Sequence, residues 1–216
     1  MGEGAELLAD ELNISREEQE EFSFSSHEKA VAAREAGKFD NEIVPITLED
    51  GTIIDQDSGP RNPDKEKIKS LNPAFRADGT VTAATSSPFS IGASAMLITS
   101  ENFANKYGLK IRAFIEGRAV AGVNWKMFGS GPVPATKKAL EKTGLSIDDI
   151  DALELNEAFA AQALYCIKKA NWDIEVPGYK VNGKEWLKSQ VSRAFLPKYF
   201  PDYEKYLWID CDAWVQ

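Results

Sequence analysis

An α/β fold is predicted for this chain of 216 residues on three observations. Residues 131–170 read as helix, strand, sharp turn and helix in unbroken succession. Strand-like runs at 42–48 and 110–120 are separated by helical patterns with clear stop signals. The length fits one large domain or two small ones, enough to bury a core of ordinary size.

Taken in order, residues 3–11 form a helix with Leu7, Leu8 and Leu12 along one side. Ser15 and Glu18 have the spacing of a capping box, so a second helix starts there. It carries Phe22, Phe24, Ala30 and Val31 and stops at Gly37. His27, the single histidine, falls mid-helix among polar neighbours. No acid or nucleophile is spaced to orient it, and it reads as a surface or partly packed residue rather than a general base. Residues 42–48 have strand character before the Asp50-Gly51 turn. Residues 55–64 are a loop of turn residues, and 66–71 a short helix ahead of Pro73. A short apolar stretch at 81–84 leads into a Ser/Thr/Pro loop at 85–90. Residues 92–99 are small and apolar throughout, which predicts a buried segment packed close to another backbone. Ser100 caps a helix that Gly108 stops, and strand character returns at 110–120.

In the 131–170 stretch, Pro134 suits a first helical turn and Gly144 the residue just past the helix end. Ser146 with Asp149 makes a short capped turn. Residues 151–155 are brief enough for a strand end, and a helix carrying Ala158, Phe159, Ala161, Leu164, Tyr165 and Ile167 follows at once. Asn156 and Glu157 therefore stand at the carboxyl end of a strand and the amino end of a helix. Open α/β sheets bind ligands there, because helix N–H groups point outward unpaired. The same position suits a plain N-cap, and the pattern leaves both roles open. Cys166, inside that helix, reads as a small, buried and inert side chain.

Leu155-Asn156-Glu157-Ala158-Phe159-Ala160 resembles the NEAF motif of the thiolases, coenzyme A-dependent acyltransferases that make or cleave 3-ketoacyl-CoA. Gly131-Pro132-Val133-Pro134-Ala135-Thr136 and Ala119-Val120-Ala121-Gly122-Val123 match the same family in the same order. So do residues 79–87 (GTVTAATSS) and 14–19 (ISREEQ), and the wording of 82–87 is closest to the degradative 3-ketoacyl-CoA thiolases, or acetyl-CoA acyltransferases. The resemblance covers about residues 1–169. It implies a partial thiolase-like fold, a loop domain plus incomplete α/β halves, so that the match starts in mid-fold. It also implies coenzyme A as cofactor and an acyl-CoA as ligand. Asn156 matches the catalytic asparagine that holds a water in an oxyanion hole. Ser87 matches a serine that hydrogen-bonds the pantetheine arm, and Ala83 and Phe159 match residues lining its tunnel. Arg61 is a further candidate, for the nucleotide phosphates. Phe128 stands where many relatives have Met, and Ile91 replaces an Asp common before the Gly-Ala run. The family's nucleophilic cysteine, Gly-His-Pro histidine and second cysteine do not appear, which predicts a homologue inactive by itself.

After Ala170 the composition shifts: Trp172, Trp186, Trp208 and Trp214 are four of the five tryptophans. Residues 175–216 resemble the D-x-D region of GT-A-type glycosyltransferases, with a strand at 206–209 leading to Asp210 and Asp212. Carboxylates at i and i+2 can hold one divalent cation, Mn or Mg, and through it a sugar-nucleotide diphosphate. The expected division is therefore 1–75, like the thiolase loop domain; 76–170, like an incomplete thiolase core; and 171–216, a short unrelated α/β tail. A non-catalytic α/β binding or interaction module is the alternative function, and a metal-dependent glycosyltransferase fragment a third.

The net charge of −9, from 34 acidic and 25 basic residues, argues against nucleic acid as a partner. Two cysteines cannot make a disulfide framework, and no apolar run approaches a membrane span. The start of the sequence lacks a basic signal-peptide opening, so a cytoplasmic protein is expected. Incomplete halves leave sheet edges and apolar faces exposed, which predicts oligomerisation or aggregation.

Overall fold

The computed structural model describes residues 1–172, 180–181, 184–185 and 204–209. Helix α1 (Gly2–Leu12) ends where Asn13 turns left-handed, with φ 50°. Helix α2 (Arg16–Glu35) begins on the anticipated capping box. The Glu18 N–H donates to Ser15 Oγ at 3.1 Å, and the Ser15 N–H donates to Glu18 Oε2 at 2.8 Å. Two N–H groups that a helix start leaves without partners are thereby satisfied. A small antiparallel hairpin follows, β1 (Ile46–Thr47) with β2 (Ile53–Ile54), turned by Gly51 at φ 85°. Helices α3 (Lys65–Lys69) and α4 (Glu101–Lys106) are short, each capped by the side chain before it, Asp64 and Ser100. Helix α5 (Pro132–Thr143) starts on a proline and ends at Gly144, whose φ of 70° an L side chain rarely adopts. Strand β3 (Ala152–Leu155) and helix α6 (Ala160–Lys169) complete the stretch singled out in the sequence. Beyond them, β4 (Lys180–Val181) pairs with β5 (Lys184–Glu185), and β6 (Tyr206–Ile209) lies parallel to β3.

The core is centred on α6. Every residue from Ala160 to Ile167 is buried, and α1, α2, α5 and the 3-10 turn Trp125–Ser130 pack around it. Ala160, Ala161 and Ala163 keep its surface low, so neighbouring backbones approach closely. Its exposed end carries Lys168 and Lys169, favourable at a helix C-terminus. They reach back to Glu18 on α2 at 2.5 Å and Glu11 on α1 at 2.9 Å. Tyr165 Oη donates to the same Glu11 carboxylate at 3.1 Å.

Three sequence expectations are corrected. Residues 92–99 are exposed rather than buried: Met96 is 61 %, Leu97 72 % and Ile98 67 % accessible. Residues 110–120 form no strand, and Phe114 and Ile115 stand in solvent. A strand needs a neighbour for its N–H and C=O groups, and among the described residues neither run has one in a ladder. In the second run, the Arg118 and Val120 carbonyls instead accept from Lys142 and Lys138 of α5, at 3.2 and 3.3 Å. The third correction concerns Asn156. The N-cap position of α6 is Phe159, three residues on, so Asn156 does not cap that helix.

The tail strand read at 206–209 is present, and with β3 of the main body it makes a two-stranded sheet. It runs alongside β3 in a four-residue register from Ala152↔Tyr206 to Leu155↔Ile209, and Ile209 is buried in the same core as α6.

Candidate functional site

The carboxyl end of β3, the turn into α6 and the loop at 79–87 meet at one place. Asn156 is buried there, 6 % accessible, and its backbone N–H donates to the Ile209 carbonyl at 3.0 Å. Three residues later Phe159 forms an isolated antiparallel bridge with Ser86. The Ser87 N–H donates to the Ala158 carbonyl at 2.9 Å. Segments 71 and 73 positions apart at these two links are thus held together by backbone pairing. Such bonds fix position without depending on side-chain rotamers.

The loop at 79–87 is anchored from two helices. The Glu6 carboxylate, completely buried on α1, accepts from the Thr80 N–H at 2.9 Å and the Val81 N–H at 3.1 Å. Arg76 reaches it at 3.4 Å while also holding Asp10 at 2.9 Å. From α2, Gln19 Nε2 donates to Thr80 Oγ1 at 2.8 Å, and Ser23 Oγ donates to the Ala84 carbonyl. Thr82 opens the 3-10 turn Ala83–Thr85, and the Thr82 N–H donates to Thr85 Oγ1 at 2.9 Å. Ala83 and Ser87 remain exposed at either end of this turn and loop. Between them the surface consists of small side chains.

Phe159 faces inward. It is 8 % accessible, with its ring edge-on to Phe75 at a centroid distance of 6.0 Å. Its other side meets a narrow apolar recess lined by Ala5, Leu8, Phe128, Gly129 and Gln162. Glu157, beside Asn156, accepts from Ser26 Oγ of α2 at 2.8 Å. His27 follows Ser26 and is half-buried. Burial, then the nearby Arg61 charge, hold its imidazole below the ordinary histidine range, and Glu157 offsets them in part.

Ser87, Ala83, Asn156 and Phe159 therefore lie on one loop–turn assembly, whereas Asp210 and Asp212 lie outside the described residues. Among the described residues no group of three metal-ligating side chains comes together. Cys166 is fully buried and its thiol donates to the Gly129 carbonyl at 3.3 Å. Among the described residues no helix is long and apolar enough to cross a membrane.

Sequence reasoning missed Glu6. Its signal was present: positions 2, 5, 6 and 9 of α1 form a helical stripe of Gly, Ala, Glu and Ala. A carboxylate on a stripe of small residues needs a built partner if that stripe is buried.

Two family models match this chain. Residues 1–102 match the family model described as the thiolase N-terminal domain, and residues 109–184 match the thiolase C-terminal domain. The second match passes residue 169, where the motifs read from the sequence end. A 3-ketoacyl-CoA thiolase of Vibrio parahaemolyticus is 52 % identical over 188 residues, 84 % of this chain and 48 % of that protein. The chain thus spans about half the length of the curated relatives it matches. The crystal structure of the Bacillus anthracis acetyl-CoA acetyltransferase superposes with a TM-score of 0.77 at 44 % identity, covering 79 % of this chain and 44 % of that one. Human mitochondrial 3-ketoacyl-CoA thiolase in complex with CoA gives 0.75 at 38 % identity, over 78 % of this chain and 42 % of that one.

Proposed function

The chain belongs to the thiolase family, and from that premise we propose that it binds the pantetheine arm of an acyl-coenzyme A across the 79–87 loop. The observation that carries this reading is the backbone junction of Ser87 with Ala158 and of Ser86 with Phe159. It sets a hydroxyl-bearing, exposed residue beside the turn that follows Asn156. A pantetheine arm is a narrow chain of amides, and a shallow surface of Ala83, Ala84, Ser86 and Ser87 suits it. In this reading Ser87 hydrogen-bonds the arm, and Ala83 leaves it room. Phe159 backs the wall from inside rather than lining a tunnel with its open face. The Asn156 amide orients a water toward the thioester oxygen, where negative charge gathers in acyl transfer.

In this reading Cys166 is not the thiolate that attacks the acyl group, and Cys211 lies outside the described residues. Thiolate attack needs an accessible sulfur and a base, and Cys166 is sealed in the core. Binding without turnover is the activity assigned to this chain alone, with 3-ketoacyl-CoA thiolysis or condensation as the reaction its site serves when completed.

The test is a thermal-shift titration with coenzyme A, with UDP plus manganese as the comparison for Asp210 and Asp212. Ligand at a hundred times its dissociation constant stabilises the folded form by about 2.7 kcal/mol. The expected result is a saturable shift with coenzyme A that Ser87→Trp abolishes. Ser87 is exposed, so the larger side chain blocks the arm without disturbing the core. No shift with coenzyme A would refute the reading, and a shift only with UDP and manganese would move the function to the tail.

A further inference from the structure

The hairpin of β1 and β2 stands with both faces in solvent. Ile46 lies opposite Ile54 and Thr47 opposite Ile53, so apolar side chains point to either side. Every residue from 44 to 58 is exposed, Val44 at 81 % and Ile46 and Ile53 at 60 % each. The turn is nevertheless firmly built. Asp50 Oδ1 accepts from the Thr52 N–H at 2.9 Å, and the Leu48 N–H donates to the Thr52 carbonyl at 2.8 Å. Apolar groups held out in a fixed arrangement mark a place where another surface docks.

Charge says which surface. Residues 40–58 carry six carboxylates, Asp40, Glu42, Glu49, Asp50, Asp55 and Asp57, and neither lysine nor arginine. A second hairpin is thus repelled, because like charges brought face to face oppose association. Anionic lipid and nucleic acid are repelled for the same reason. The matching surface is apolar and basic.

Among the described residues this chain exposes such a surface at 106–118. Tyr107, Phe114 and Ile115 stand in solvent there. Lys106, Lys110, Arg112 and Arg118 accompany them, against the single acid Glu116. At the far end, the Lys142 and Lys138 ammonium groups of α5 reach the Arg118 and Val120 carbonyls at 3.2 and 3.3 Å, which adds positive charge. The other exposed apolar run, 88–99, carries no charged residue and offers the hairpin no electrostatic match. Among the described residues the hairpin is a sheet of two strands, so an added strand has an edge to pair with.

We propose that the hairpin of one copy docks on residues 106–118 of a second copy, apolar side to apolar side, with its carboxylates facing the basic groups. The contact does not depend on the coenzyme A reading.

Light scattering from the full chain at rising concentration, in low and high salt, tests it. Ile46→Lys with Ile53→Lys spoils the hairpin, and Phe114→Ser with Ile115→Ser spoils the run. All four side chains are exposed, so the core is untouched. Asp55→Lys with Asp57→Lys is a second hairpin variant that leaves the apolar residues in place. The mean mass of the parent chain is expected to rise to at least twice that of the monomer, and to fall back in high salt as the charges are screened. Each variant alone stays at the monomer mass. An equal mixture of a hairpin variant and the run variant recovers a dimer, because one copy keeps its run and the other its hairpin. A parent chain that stays monomeric overturns the proposal. So does association that persists equally in the variants, and so does a mixture that stays monomeric.

Discussion

Removing the Glu6 carboxylate is the sharpest perturbation the structure offers. The group has no solvent access and accepts two backbone N–H groups of the 79–81 loop, with Arg76 alongside. Hydrogen bonds to a charged group contribute about 1.5–3 kcal/mol each, and a buried donor left without a partner costs about 1–3 kcal/mol. Glu6→Ala strands both N–H groups and opens a void, so a loss of about 3–5 kcal/mol is expected. Glu6→Gln keeps one oxygen but turns an NH2 toward the other N–H, so a smaller loss of about 2 kcal/mol follows. Against a total stability of about 5–15 kcal/mol, the alanine variant sits near the edge of folding. The assay is urea unfolding followed by tryptophan fluorescence, with buried Trp172 as reporter. Thermal melts should fall by at least about 6 °C in Glu6→Ala. The same loop carries Ala83 and Ser87, so the coenzyme A-induced shift should weaken in both variants. A Glu6→Ala protein melting within about 1 °C of the parent would refute the anchoring argument.

Gly129→Ala places a Cβ 2.8 Å from Leu8 Cδ1 and 3.0 Å from Gln162 Cγ, inside the packed junction of α1 and α6. Overpacking of this kind costs about 1–3 kcal/mol, read as a lower urea midpoint with an unchanged slope; an unmoved midpoint rejects it. His27 titrates below its ordinary value of 6.5 because of burial first and Arg61 second. The unfolded chain binds that proton more readily, so the stability His27 contributes is present above the unfolded pKa and is lost as pH falls through the folded one. His27→Gln should therefore flatten the dependence of melting temperature on pH between about pH 7 and 5, and equal slopes would dismiss the effect.

Local signals were legible wherever one short segment satisfied itself. The Ser15–Glu18 box, the caps at Ser100 and Ser146, and the stop at Gly144 each involve neighbours within four residues, and all stand as read. The strand–turn–helix around Asn156 was legible for the same reason, and so was Tyr206–Ile209 as a strand. Pairing was not legible. Residues 110–120 are as strand-prone as Tyr206–Ile209, and composition does not say which run finds a partner among the described residues. The choice between cap and site at Asn156 was not legible, because it turns on the three further residues the chain spends reaching Phe159, whose backbone pairs with Ser86. Glu6 shows the converse case. Its role depends on N–H groups more than 70 positions away, which no local pattern encodes.

The packing of α1 on α6 has a consequence for how the protein is made. Tyr165 and Glu11 are 154 positions apart, and Lys169 and Glu11 158, so the contacts that complete α1 close a very long span. Ribosomes add about 5–20 residues per second, so α1 leaves the exit tunnel about 8–30 s before its receiving surface exists. The partners at Arg76 to Val81 arrive earlier and can hold Glu6 in the interval. The 125–130 turn reaches Leu8 next, and the cover is complete only when α6 emerges, a window in which a chaperone that grips short apolar helices competes with the chain's own core. Of the helices described here, the one synthesised earliest waits for its cover on the one synthesised latest.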